Sequence, residues 1–469
     1  MIPLTLAEVA AATGGRLHDA PDPDAVVAGP VVIDSREAAP GALFVAVEGE
    51  RTDGHEHARS AVAAGAVGVL AARPVGVPAV VVADPVAALG LLARSVLARL
   101  ADVSVLAITG SSGKTTTKDL LAAVLETAGP TVATQGSYNN ELGLPLTVLA
   151  ADATTRHLVV EMGARGPGHL TYLCGIAPPR VAVVLNVGAA HVGEFGDTAA
   201  TAAAKRELVQ ALPPDGVAVL NADDPLVLDM ARAAPGRVVL FGRTPPDGRE
   251  GAVQVDVRAE AVRLDEHGRA SFDLVTRGGT APVTLSVHGA HQVSNALAVA
   301  AVALEVGLPL ADIAAALRTA TPRSRWRMEV VERSDGVTVV NDTYNANPDS
   351  VRAALEALVA MSAGRRSWAV LGEMLELGAA SAEEHAAVGR LAVRLGVSRV
   401  VAVGAGARGI QLAATESAGE EPVFVPDADA AVALLLEQVR GDDVVLVKAS
   451  RGVGLERVAE ALLTAGVPG

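Results

Sequence analysis

The sequence predicts an α/β fold of three domains. A central, mostly parallel sheet of the phosphate-loop type is flanked by helices, with a smaller α/β domain before it and a Rossmann-like domain after it. Three observations predict this. Short apolar runs alternate with Ala- and Leu-rich helical stretches along nearly the whole chain, the pattern of parallel strands covered on both faces. A length of 469 residues exceeds what one hydrophobic core supports. Finally, Ile108–Thr117 reads as the end of an apolar strand, a Gly-rich turn and a helix start.

The elements follow in order. Residues 1 to about 100 carry apolar runs at Val31–Ile33, Leu43–Val47, Val67–Leu70 and Ala79–Val82, a helical stretch at His55–Ala64 and a closing helix at Pro85–Leu100. The central domain, 101–321, opens with the run Val103–Ile108, the glycine turn and a helix at Lys118–Ala128. Strands follow at Leu158–Glu161, Val181–Asn186 and Val217–Leu220. From Val253 to Val287 apolar residues alternate, which fits a small antiparallel excursion. Helices resume at Gln292–Val306 and Leu310–Ala320. A proline and a rise in polarity at Thr321-Pro322-Arg323-Ser324 then mark a boundary. The third domain, 322–469, alternates strands (Val337–Val340, Trp368–Leu371, Val400–Val403, Val444–Val447) with helices, one at Val351–Ala360 and one opened by a Ser381/Glu384 capping box. Gly404-Ala405-Gly406-Ala407-Arg408-Gly409 matches the dinucleotide fingerprint. No acid closes a neighbouring strand about twenty residues on, so a tight strand-to-helix turn is the expectation there.

Composition narrows the function. Half the residues are hydrophobic but only 2% aromatic, so the core is built from Ala, Val and Leu. A net charge of −15 argues against a nucleic-acid surface. The single Cys174 excludes an internal disulfide and agrees with a reducing cytoplasm. No basic segment precedes an early apolar run, and Arg94 and Arg99 interrupt the apolar stretches short of a membrane span. A cytoplasmic protein without membrane insertion is expected.

The chemistry concentrates at Gly110-Ser111-Ser112-Gly113-Lys114-Thr115-Thr116. Backbone N–H groups and a helix dipole converge there, the arrangement that binds phosphate. Lys114 supplies a charge for the outer phosphates of ATP, and the Thr115 hydroxyl is a ligand for the accompanying Mg²⁺. The strict motif has glycine where this chain has Ile108, and Gly110 sits closer instead. The competing reading is a Ser/Gly loop that merely caps a helix. Glu161 ends an apolar strand and is placed to face the loop and hold Mg²⁺; otherwise it is a solvated strand end. His191, past the next strand, reads as a metal ligand or a capping residue. Lys205 lies on an Ala-rich helix, where snorkelling to solvent is the bland alternative. His291 and Asn295 open a helix, where an adenine contact and an N-cap role compete. Arg327 and the polar run Asn341–Pro348 suggest a γ-phosphate contact by Arg327 and a ribose contact by Asp342.

These residues resemble the muramyl ligase family of cell-wall synthesis over essentially the whole length. The resemblance rests on Asp34-Ser35-Arg36, Gly41–Ala46, Thr109–Thr117, Asn139-Asn140-Glu141-Leu142-Gly143-Leu144-Pro145 and Glu161-Met162-Gly163. It continues through Asn186…His191, Asp342–Pro348, Leu371–Gly378 and Lys448-Ala449-Ser450-Arg451. It departs from the family pattern at His291-Gln292, where His-Asn is usual, and at Ala449, where Gly is commoner. The resemblance implies that ATP phosphorylates the carboxylate of a UDP-N-acetylmuramoyl-tripeptide and that the amine of D-alanyl-D-alanine displaces phosphate from the acyl phosphate. The Tyr344-Asn345-Ala346-Asn347-Pro348 and Gly372–Gly378 runs, and the absence of Asp-Asn-Pro-Arg, separate this acceptor from that of the third-residue ligase. The resemblance further implies nucleotide contacts at Tyr344 and Asn345, substrate contacts at Ser35, Arg36, Asn139, Asn140, Lys448 and Ser450, and a carbamoylated Lys205 bridging a second Mg²⁺. It assigns 1–100 to the UDP substrate and 101–321 to ATP, in a monomer. Competing functions are a related ligase with another acceptor, either a third-residue muramyl ligase or a folyl-polyglutamate synthase-like enzyme, and a nucleotide-driven switch. The switch would carry an Asn-Lys-x-Asp motif, which this chain lacks.

Overall fold

The computed structural model describes residues 1–49, 52–188, 197–243, 254–416 and 422–465. Within them three helix-flanked sheets follow one another along the chain. The first orders its strands Arg16–His18, Ala79–Val81, Gly68–Ala71, Leu43–Val45, Val31–Val32, parallel except at Arg16–His18. A two-stranded ribbon, Leu4–Thr5 with Val26–Val27, lies beside it.

The central sheet runs Gly279–His288, Arg269–Thr276, Val257–Leu264, Arg237–Arg243, Val217–Asn221, Val181–Val184, Ser104–Thr109, His157–Glu161, Thr131–Ala133. Only the pairs among the first three strands are antiparallel, so the alternating segment extends the main sheet rather than standing apart from it. The inner parallel strands Val181–Val184 and Val217–Asn221 are buried throughout, and Ser104–Thr109 from Val105 on, because helices cover both faces. On one face Lys114–Leu125, Gln292–Glu305 and Leu310–Thr319 bury Leu121, Val299 and Leu317. On the other, Gly143–Leu149, His169–Ile176 and Thr198–Gln210 share one core with Pro85–Ala98, whose Leu89, Leu92 and Val96 pack with Val105 and Leu158. The first sheet and the central one are therefore joined through a common apolar layer.

The third sheet orders Glu329–Glu332, Thr338–Asp342, Val444–Lys448, Ser367–Leu371, Arg399–Val403, Val423–Val425, all parallel but the first. Its carboxyl edge, where such sheets gather ligands, carries Asp342, Lys448 and Gly404. The Gly404–Gly409 turn leads into a short helix, and Glu373 packs its carboxyl group against Gly406, where a Cβ would lie 2.0 Å from Glu373 Cδ. A carboxylate there repels phosphate, in keeping with a plain turn.

Two local expectations change. The helix after the glycine turn starts at Lys114, not Lys118, because Gly113 itself makes the turn. No Ser381/Glu384 capping box forms. A 3₁₀ turn, Gly378–Ala380, runs straight into helix Ser381–Arg394, so Ser381 is already helical (φ −52°) and its hydroxyl meets His385 Nδ1 instead.

Candidate active site

Gly110–Gly113 leave the central strand Ser104–Thr109 between its two neighbours. Glu161 pairs in register with Ile108, and Val184 with Thr109. Both neighbouring strands therefore deliver their next residues to the glycine turn. Gly113 holds φ at +80°, a conformation natural to glycine, and a Cβ there would stand 2.6 Å from Asn295 Oδ1. Helix Lys114–Leu125 begins without a side-chain cap. Helices Pro85–Ala98, Thr198–Gln210 and Pro348–Ser362, by contrast, are capped by Asp84, Asp197 and Asn347. Its first-turn amides and positive dipole end thus meet the site.

Not every amide of the turn is available. Ser111 N–H and Ser112 N–H both donate to Asn186 Oδ1 at 2.9 Å, and Asn186 Nδ2 donates to Ser112 O. Asn186 thus straps Ser111 and Ser112 down beside the uncapped first turn, Lys114–Thr116.

Thr115 Oγ1 donates to Glu161 Oε2 at 2.8 Å and lies 3.0 Å from Ser137 Oγ. Glu161 is buried, and its other oxygen accepts from Asn139 Nδ2 at 2.7 Å. This is a hard-oxygen donor set of hydroxyl and carboxylate. No group of three or more His, Cys, Asp or Glu residues gathers among the described residues. One carboxylate and one hydroxyl suit Mg²⁺, which keeps waters and takes phosphate oxygens for its remaining positions. The residues therefore fit Mg²⁺ carried by a nucleotide. His191 lies outside the described residues.

Lys205 does not snorkel. It is 2% exposed, and burial, with Lys114 nearby, pushes its amine down to about 7. Lys114 donates to Gly110 O at 2.7 Å; loss of solvent around its amine lowers its pKa, the Glu161 charge opposes the shift, and Arg327 adds to it. Two cations set close together and away from water make a place that an anion relieves. On the same helix as Lys205, Glu207 accepts from Gly168 N and Thr171 N, securing helix His169–Ile176.

Arg327 enters from the third unit. Its Nη2 donates to Ser137 Oγ at 2.8 Å, and its guanidinium lies 4.0 Å over the Tyr344 ring, which Arg451 also approaches. The chain Arg327–Ser137–Thr115–Glu161 thus ties the third unit to the glycine turn. Ser137 was not singled out from sequence. Its only signal was adjacency to Asn139-Asn140.

Other expected residues take different places. Asp342 and Lys448 are buried against each other, Nζ to Oδ2 at 2.5 Å; Asp342 Oδ1 accepts from Met328 N, and Lys448 also donates to Asn345 O. Neighbouring parallel strands put Asp342 and Lys448 at one register position, which is why they form this internal ion pair. The Ser450 hydroxyl is likewise used internally, donating to Ala346 O and accepting from Leu375 N. Asn345 Oδ1 accepts from Ala346 N, and Asn140 Oδ1 accepts from Leu142 N and Gly143 N, a helix-opening role. Asn295 is buried on Gln292 Oε1 and contacts Gly113, so it supports the turn. His291 precedes that helix; burial pushes it down to about 4, with Asp342 opposing and Lys448 and Arg243 reinforcing. Ser35 and Arg36 sit past Val31–Val32 in the first sheet. Arg36 folds back on Asp34 (Nη2–Oδ2 2.6 Å) and holds that carboxyl at about 2.

The chain belongs to the Mur ligase family. Family models match in order along it: the Mur ligase family catalytic domain at 30–101, the Mur ligase middle domain at 108–303 and the Mur ligase glutamate ligase domain at 326–451. Within that family it is similar to UDP-N-acetylmuramoyl-tripeptide–D-alanyl-D-alanine ligases. The protein of that name from Mycobacterium leprae is 49% identical over 99% of each chain, and the one from Escherichia coli 35% identical over 98% of this chain and 99% of the other. Among solved structures, MurF from Acinetobacter baumannii superposes with a TM-score of 0.86 at 33% identity, covering 98% and 99% of the two chains. MurF ligase from Thermotoga maritima in complex with ADP gives 0.78 at 32% identity, covering 93% and 98%.

Proposed function

We propose that this protein is an ATP-dependent, ADP-forming ligase that joins D-alanyl-D-alanine to UDP-N-acetylmuramoyl-tripeptide, giving the pentapeptide nucleotide of peptidoglycan synthesis. One observation carries the reading: an uncapped helix start, two crowded ammoniums and a hydroxyl–carboxylate pair share one sheet edge in a chain about half identical to ligases of that name. That the T. maritima relative forms a complex with ADP supports nucleotide binding by this chain.

The tripeptide carboxylate attacks the γ-phosphorus and ADP leaves. The dipeptide amine then attacks the acyl carbon, loses a proton, and phosphate departs. Lys114, the first-turn amides and Arg327 stabilise charge on the transferred phosphoryl group. Thr115 and Glu161 would hold Mg²⁺, which would offset charge on the phosphates. Lys205, half neutral near pH 7, is in the state that takes up carbon dioxide as a carbamate. Holding three reactants together supplies about 7–11 kcal/mol of the barrier. A free α-amine titrates near about 8, so a strong base is not required.

The division into 1–100 for the UDP substrate, 101–321 for ATP and 322–469 closing over both belongs to the same proposal, as does action by a cytoplasmic monomer. Among the described residues no helix is long and apolar enough to cross a membrane. The test combines purified protein, ATP and Mg²⁺ with tripeptide nucleotides ending in lysine or diaminopimelate. ADP release and pentapeptide mass should both require D-alanyl-D-alanine. Phosphate release without any amine points to a nucleotide switch, and use of a different amine points to a sister ligase.

A further inference from the structure

Lys118 and Asp119 are charged yet 1% and 3% exposed, one turn beyond Lys114 and Thr115. Their ion pair spans 2.7 Å. A buried pair of this kind is weak evidence for stability, since desolvation opposes it, so its remaining bonds point to its use. Lys118 Nζ donates to Thr134 O at 2.6 Å and Gly136 O at 3.0 Å, and reaches Ser324 Oγ at 3.3 Å. Asp119 Oδ2 accepts from Ser324 N at 2.9 Å and Arg323 N at 3.1 Å. The Arg323 guanidinium then pairs with Glu126 at the far end of the same helix.

Two chain segments are thus rooted at this pair, 134–137 and 323–327. They meet again where Arg327 Nη2 donates to Ser137 Oγ, beside Thr115. Arg327 is flanked by Trp326 and Met328, both non-glycine residues with positive φ, +62° and +50°. Such a backbone persists only where both sides are held. The third unit holds one side, through Tyr344 N to Trp326 O and Met328 N to Asp342 Oδ1. The Lys118–Asp119 pair holds the other.

We infer that Lys118 and Asp119 are positioning residues. They fix the roots of the 134–137 loop and the linker so that the Arg327 guanidinium arrives at the phosphate end of the site. This rests on reading the glycine turn as the ATP site. Loosening either root leaves the linker intact but lets Arg327 swing away from Ser137, which weakens the phosphoryl step more than acceptor binding.

The experiment measures amide product for Lys118→Met, Asp119→Asn and Arg327→Ala, and for each of the first two combined with Arg327→Ala. An arginine at a transferring phosphoryl group is worth 10³–10⁵-fold in some enzymes, so each single anchor variant should lower kcat by at least about tenfold. KM for the acceptor dipeptide should stay within about twofold. On the Arg327→Ala background neither anchor variant should lower kcat further. Equal loss on both backgrounds overturns the inference, because it marks a pair that merely supports the fold. Unchanged kcat in the single variants overturns it too. Asp119→Asn keeps the side-chain shape but removes the charge and turns an N–H₂ donor toward either Lys118 or the linker amides, so one of its two sets of bonds is lost, and it carries the test if circular dichroism shows Lys118→Met unfolded. A wild-type protein that forms no amide overturns the ligase reading and this inference together, whereas failure of the anchors alone shows only against an active wild type.

Discussion

Replacing Lys205 by Met keeps a buried unbranched stem and removes only the ammonium. In the folded protein this amine stands at about 7 against an ordinary 10.5, mainly from burial and then from Lys114. Between those values the unfolded chain binds more protons than the folded one. Stability therefore rises with pH across that window, and the full cost of the buried charge is felt below it. At about 1.4 kcal/mol per pH unit that cost approaches roughly 5 kcal/mol, of which about 2 kcal/mol is relieved between about pH 7 and pH 9. Urea unfolding of wild type and Lys205→Met at both pH values, in carbonate-free buffer, isolates the contribution by difference. The variant should be the more stable near pH 7, and its advantage should shrink by about 2 kcal/mol near pH 9. An advantage independent of pH, or none at all, refutes the placement of a cation in that dry site.

Gly113→Ala meets a positive φ costing about 1–2 kcal/mol and a Cβ 2.6 Å from Asn295 Oδ1. Thermal unfolding should show a destabilised fold, and calorimetry should show weakened Mg·ATP binding. Glu161→Gln should raise the Mg²⁺ concentration for half-maximal activity by about 10–100-fold, read from a Mg²⁺ titration at saturating ATP, with far smaller change in the melting temperature. His291, held at about 4 against 6.5, makes the fold lose stability as pH falls through that interval and none further below it. His291→Gln should flatten that part of the acid unfolding profile. Lys205→Ala should lose activity and regain part of it with short carboxylic acids that stand in for the carbamate.

The sequence by itself determined the α/β class, the glycine turn before a helix and the acid at the end of the neighbouring strand. These are written in local periods and spacings: an apolar run, a glycine where φ must turn positive, a helix start. It also carried the end of the helix before Thr321-Pro322, which closes at Thr319. Only the tertiary structure decided which polar groups remain for ligands. Asp342 and Lys448 lie far apart in sequence but end adjacent strands, so they pair with each other. Asn186 takes two amides from the glycine turn, and Lys205 turns inward from a helix whose charged neighbours Arg206 and Glu207 are half-buried and paired elsewhere. Each outcome depends on strand order and register, which juxtapose residues that no spacing along the chain relates. Burial then fixes which charges must be paired.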